Sequence, residues 1–123
     1  MSHYDSLGTT VPAGSDLSSS QYRGMLINAS GQLAAPSAGG RISGILQNDP
    51  AAAGRAGELL VSGRARCEAG GAVTAGDYLA VDALGRLTTR ATNQVIVGQA
   101  LESASGAGSY FDALIVGITG WVG

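Results

Sequence analysis

Laid over itself at an offset of 54 positions, with no gap, the sequence repeats from about Tyr22 onward. Ala29, Gly31 and Leu33 fall on Ala83, Gly85 and Leu87, and Ile42 and Gly44 fall on Ile96 and Gly98. Ala53, Gly54, Leu60 and Gly63 fall on Ala107, Gly108, Leu114 and Gly117. Conservative pairs fill the intervals: Met25/Leu79, Ile27/Val81, Asn28/Asp82, Glu58/Asp112 and Val61/Ile115. Nine identities spread over 48 aligned positions favour two copies of one supersecondary unit, because a solenoid needs three or more.

Each copy reads as strands. In Glu58–Glu68, Leu59, Val61, Gly63, Ala65 and Cys67 alternate with Ser62, Arg64, Arg66 and Glu68, the period of a strand with one wet face. Tyr78–Val81 and Gln94–Leu101 are short apolar runs rich in β-branched residues. Asp82–Gly85 puts Gly at the last position of a tight turn, and Asn28–Gly31 repeats the device. Residues 48–57 and 103–109 are the equivalent Gly/Ala loops; a helix over 51–60 would lose about 2 kcal/mol to Gly54 and Gly57. Phe111–Ile118 is apolar on both faces apart from Asp112 and is expected to be the most buried strand. The expected fold is all-β. It is a small β-barrel or β-sandwich built from two related halves (about 22–69 and 76–123), preceded by an extended N-terminal arm over residues 1–21.

Such a fold has a thin core. Leu, Ile, Val and Phe number 27 of 123, and aromatics are six, so less apolar area is buried per residue than in a chain with aromatic anchors. Association with copies of itself is the natural supplement. The two-sided run Leu114, Val116 and Ile118, with Trp121 behind it, holds more apolar surface than a thin monomer covers and is the expected interface between copies. The first 21 residues hold six Ser and two Thr among isolated apolar residues. They read either as a disordered tail or as an arm that orders on a partner. In the second case Tyr4, Leu7, Val11 and Leu17 are spaced anchors for shallow pockets on that partner.

Charge and residue types exclude several functions. All seven basic residues are Arg, against nine acids, for a net charge of −2; scattered Arg provides no footprint for nucleic acid or an anionic membrane. Without Lys there is no Schiff-base chemistry, no biotin or lipoyl carrier and no P-loop. The longest uninterrupted aliphatic run, Ala113–Val116, is far too short for a membrane span. The start has neither basic nor apolar stretch, so no signal peptide is expected. One cysteine, Cys67, implies no internal disulfide and intracellular folding.

No constellation for catalysis, cofactor or metal is expected. His3 is the sole histidine and lies in the tail, so no Ser–His–Asp or Cys–His arrangement reaches the core, and one Cys with one His cannot close a zinc site. Cys67 falls on the inward strand face, as a small hydrophobe would. Asp77 and Asp82 flank a strand in turn positions, where Asp bonds the backbone. No calcium-loop pattern of alternating acids is present. Arg64 and Arg66, with Glu58 and Glu68 beside them, read as a solvated or inter-subunit ion-pair face.

The segments RISGILQNDPAAAGRAGELLVSGRARC, GGAVTAGDYLAVDALGRLTT and IVGQALESASGAGSYFDALIV, taken in that order, resemble a family of small tailed-phage proteins, the capsid cement or head decoration proteins. The likeness covers residues 22 to 118. It implies a β-rich trimer on the outer surface of an icosahedral head, made in the host bacterial cytoplasm. There it clamps neighbouring capsomers of the major capsid protein over threefold and quasi-threefold points. On that reading Tyr4, Leu7, Val11 and Leu17 are the capsid anchors of the arm, and Leu114, Val116, Ile118 and Trp121 form the homotrimer interface. It carries over no catalytic residue. The residues themselves leave two other readings open: a tail or fibre-base component of similar Gly-rich β composition, and a small β-clip-like module for carbohydrate. The latter wants an aromatic platform that six scattered aromatics hardly supply.

Overall fold

The computed structural model describes residues 6–116, Ile118 and the backbone of 121–122. The fold is all-β. Its strands are β1 (Leu7–Pro12), β2 (Gly24–Ile27), β3 (Leu33–Ala34), β4 (Gly44–Leu46), β5 (Ala56–Glu68), β6 (Tyr78–Val81), β7 (Leu87–Thr89), β8 (Val95–Ile96), β9 (Gly98–Ala100), β10 (Tyr110–Ile115) and β11 (Trp121–Val122). Nine of them form one curled, half-barrel sheet in the order β3-β2-β4-β5-β10-β9-β6-β7, with β1 also on β5; β11 pairs β8 separately.

β6, β7, β9 and β10 begin 54 residues after β2, β3, β4 and β5, and their registers match. Leu26 faces Ala34 as Ala80 faces Thr88; Met25 faces Gly44 as Leu79 faces Gly98; Leu46 faces Leu59 as Ala100 faces Ala113. The tight turns match too. Gly31 N–H donates to the Asn28 carbonyl at 2.9 Å and Gly85 N–H to the Asp82 carbonyl at 3.0 Å, both glycines at positive φ. The Asn28 Oδ1 accepts from the Ser30 and Gln32 amides, and the Asp82 Oδ1 from the Leu84 and Arg86 amides, an Asx turn used twice. Gly44 and Gly98 are a third shared device: a Cβ on either would strike the carbonyl oxygen of Leu60 or Leu114 respectively. Only glycine lets β4 and β9 cross so near their neighbours.

The repetition begins before Tyr22, which corrects the expected boundaries. Ala13 N–H donates to the Arg55 carbonyl as Ala69 N–H does to Ser109, both at 2.8 Å. Gly54 donates to Ala13 as Gly108 does to Ala69, and Leu17 to Pro50 as Val73 does to Ala104. Residues 7–17 are thus counterparts of 63–73, at an offset of 56, and the offset returns to 54 at Ser20/Thr74, which accept from Arg23 and Asp77. The structural units are 7–60 and 63–116, not 22–69 and 76–123. In the first the strand order is β3-β2-β4-β5-β1; in the second it is β7-β6-β9-β10-β5. The N-terminal half of β5 closes one unit and its C-terminal half opens the other.

β1 is therefore a strand and not a free arm. It pairs β5 antiparallel from Leu7↔Ser62 to Pro12↔Ala56, and a paired strand satisfies backbone groups that a tail leaves to water. Val11 and Leu17, read above as capsid anchors, are buried in the chain's own core with Ala13, Met25, Leu33, Leu46 and Leu59. Leu7 is exposed, and Tyr4 lies outside the described residues.

A second, larger core gathers Ile42, Ile45, Cys67, Leu79, Val81, Leu87, Val97, Phe111 and Ile115 with smaller neighbours. β5 serves both cores. Leu59 packs in the smaller one and Leu60, from the opposite face, against the larger, as Ala65 and Cys67 do further on. The change of parity follows from one extra residue, since Leu7 faces Ser62 while Gly8 faces Leu60 and leaves Val61 as a bulge. β10 also departs from expectation. Phe111, Ala113 and Ile115 are buried, while Tyr110 and Leu114 are exposed and Asp112 is intermediate. One face of β10, not two, belongs to the core, because nothing among the described residues stacks on the other.

Candidate docking face

The chemistry-bearing side chains do not converge. Among the described residues no three of His, Cys, Asp and Glu cluster as a metal site, and His3 lies outside them. Cys67 is fully buried. Burial, and after it the charge of Asp112, pushes its thiol up to about 12, which leaves no thiolate at neutral pH and hence no nucleophile. Asp77 accepts from the Thr74 amide and the Thr89 hydroxyl, and Asp82 pairs with Arg86 at 3.0 Å; both carboxylates hold turns. A shallow depression of about 320 Å³ lies beside β1, lined by Ser6, Thr9, Thr10, Gln47 and Glu58 among others. Thr10 donates to Glu58 there at 3.3 Å, and no second ionisable group stands opposite for acid–base work.

What the fold does build is an exposed, mixed outer face on its second unit. Register sets Tyr78, Gln99, Leu114 and Arg64 in one row across β6, β9, β10 and β5. Tyr78 is 54% and Leu114 45% exposed. The next row carries a charged centre: Asp112 accepts from Arg64 Nε at 2.8 Å, and Arg66 Nη1 stands 3.8 Å away. Arg66 also lies over the Tyr110 ring at 5.5 Å, and Tyr110 meets Tyr22 edge-on at 5.4 Å. Exposed Tyr and Leu around paired Arg is the composition of protein-contact surfaces. Deep pockets for small molecules look different.

The expected ion-pair face thus exists with another acid. Asp112 of β10, directly opposite Arg66, takes the role given to Glu58 and Glu68. Glu68 is buried and held by Arg23 at 3.0 Å. Of the residues expected at a trimer interface, Leu114 and Ile118 are exposed and Val116 half-buried; the side chain of Trp121 lies outside the described set. Tyr78, Tyr110 and the exposed Ile27 were missed. For Tyr78 and Tyr110 the signal was strand parity, since each sits beside a core residue on a period-2 strand and so faces outward. Ile27 shares the parity of the buried Met25, so alternation along β2 gave no sign of its exposure.

A sequence-family model described as phage cement protein matches residues 1–117. No curated protein matches the chain. Among solved structures the fold is similar to the head fiber gp8.5 N base in bacteriophage phi29, with a TM-score of 0.74 at 16% identity, covering 89% of this chain and 92% of that one. A likeness at that identity speaks for the fold alone.

Proposed function

Because the chain belongs to the phage cement protein family, we propose that it binds the outside of the phage head as a homotrimer and stabilises contacts between capsomers of the major capsid protein. The observation that carries this reading is the outer face of Tyr78, Leu114, Tyr110 and the Arg–Asp cluster, on a chain whose Asp77 and Asp82 are spent on turns. A clamp needs a rigid body, a surface that recognises its own copies and a second surface for the shell; it needs no chemistry. Three capsid-binding surfaces on one particle convert modest single contacts into firm attachment through effective concentration.

A second reading has its own support. The similarity to a head-fibre base favours a base that sits on the head and carries a further element. One experiment tests both: purified protein is mixed with heads lacking it and the particles are imaged by electron cryo-microscopy. Density over threefold and quasi-threefold points, bridging capsomers, is the result expected of a clamp. Density touching a single capsomer favours the base. Bare heads at saturating protein refute both.

A further inference from the structure

The two units of the chain meet in a way that leaves a matching pair of surfaces uncovered, and from this we infer that copies associate head to tail through a repetition of the contact inside each chain. Between the units, one surface of the second rests on the outer face of the first. A Cβ on Gly24 would lie 3.4 Å from Val81, and the Gly24 amide donates to the Gly85 carbonyl at 2.6 Å. Ile45 and Leu60 join Val81 in the larger core. The first unit thus contributes a face (Gly24, Ile45, Leu60), and the second contributes an edge (Val81 and the turn ending at Gly85).

The counterparts of Gly24, Leu60, Val81 and Gly85, 54 positions away, are uncovered. Ile27, the counterpart of Val81, is 41% exposed where Val81 is 1%. A Cβ on Gly31 would meet nothing within 4 Å, whereas one on Gly85 would strike the carbonyl of Gly24 and stand 3.1 Å from Arg23 Cβ. On the other side Tyr78 and Leu114, counterparts of Gly24 and Leu60, are the exposed residues of the outer face. Were the units related by a twofold axis, both pairs would be covered together. Only one is, so the relation is heterologous. Its free ends are an edge on the first unit and a face on the second.

A heterologous contact repeated between copies closes into a ring when its rotation allows. Inside the chain, Leu60 of β5 runs straight into the stretch that is the counterpart of β1. Between copies, the end of β10 would abut the start of β1 in the next chain, which gives the exposed Leu7 a neighbour. The contact is looser than its template, because Tyr78 stands where the chain has Gly24 and Gln99 where it has Ile45. The side-chain-free Gly31 turn leaves room for the tyrosine ring.

The inference rests on the homo-oligomeric part of the proposed function and not on head binding; a protein that assembles as described yet leaves heads bare rejects the capsid reading alone. Cysteines are placed at Ile27→Cys and Tyr78→Cys, singly and together, with circular dichroism to confirm the fold. The buried Cys67 stays as it is. Under mild oxidation the double variant should form a ladder on a non-reducing gel that stops at three chains, while each single variant stays uncross-linked. Cross-linking of a single variant shows a twofold contact and overturns the inference, as does an unlinked double variant. Light scattering supplies an independent arm. Ile27→Asp and Leu114→Asp should each reduce the mass from three chains to one, and a wild-type monomer at tens of micromolar, or a drop with only one of the two, refutes the contact.

Discussion

Truncating Leu17 to alanine separates a strand-bearing N-terminal segment from a tail. Leu17 is almost fully buried in a seven-member cluster with Val11, Ala13, Met25, Leu33, Leu46 and Leu59. Its N–H is tied to the Pro50 carbonyl at 2.9 Å, so the backbone cannot collapse freely into the space left behind. Buried Leu→Ala changes of this kind destabilise by about 2–5 kcal/mol, the upper part where the site cannot relax. A value near 3 kcal/mol is expected. For a domain of this length that lowers Tm by roughly 10 °C. Leu7→Ala is the internal control. Leu7 is exposed, and surface changes stay within about 0.5 kcal/mol. The assay is urea unfolding followed by circular dichroism, with all variants at one protein concentration because association adds to apparent stability. If Leu17→Ala and Leu7→Ala unfold at the same urea concentration as wild type, residues 7–17 are a tail and the structural account of the first unit is wrong. Deletion of residues 1–20, for the same reason, should unfold the chain rather than yield a trimer that has merely lost its grip.

Gly44→Ala and Gly98→Ala should each destabilise by about 1–3 kcal/mol, the range of overpacked sites, whereas Gly106→Ala, with open space around its Cβ, should be near neutral by the same denaturation assay. Cys67 should resist a thiol reagent at pH 8 until denaturant is added. Its thiol is held neutral in the fold at about 12 against 9.0 for an ordinary thiol. Its contribution is therefore complete below pH 9 and is lost between pH 9 and 12, where the unfolded chain ionises first. Unfolding followed over that window should lose more stability in the wild type than in Cys67→Ala. Glu68→Ala should cost more than Arg64→Ala, since the Arg23–Glu68 pair is mostly withdrawn from water and Arg64 is largely exposed; denaturation of the two variants side by side checks the order.

Much of the repeated architecture was legible in the residues. The turns at Asn28 and Asp82, the strand over 58–68 and the inward Cys67 follow from local pattern, and the structure places them so. The first unit was misjudged at its start for an identifiable reason. Its loop after Leu17 carries two more residues than the loop after Val73, so an ungapped overlay slides Val11 and Ala13 away from Cys67 and Ala69, whose hydrogen bonds they share. Without that alignment the first 21 residues, six of them Ser, look structureless, because tertiary pairing, not propensity, makes a strand of Leu7–Pro12. The burial of β10 was overestimated because an apolar residue such as Leu114 reads alike whether a second layer covers it or not. What lies above a strand is decided elsewhere in the chain, or in another chain.

The strand common to both units has a mechanical meaning. β5 is 13 residues long, about 43 Å when extended at the usual rise, and it enters one unit and leaves through the other without a loop. Two globular halves joined by a linker would bend at the linker and transmit tension through whatever weak seam lay between them. Here a pull applied to one half travels along covalent backbone into the other, with hydrogen bonds from β1, β4 and β10 resisting slippage along the way. The molecule has no hinge at its midpoint, so it should respond to stretching as a short stiff strut.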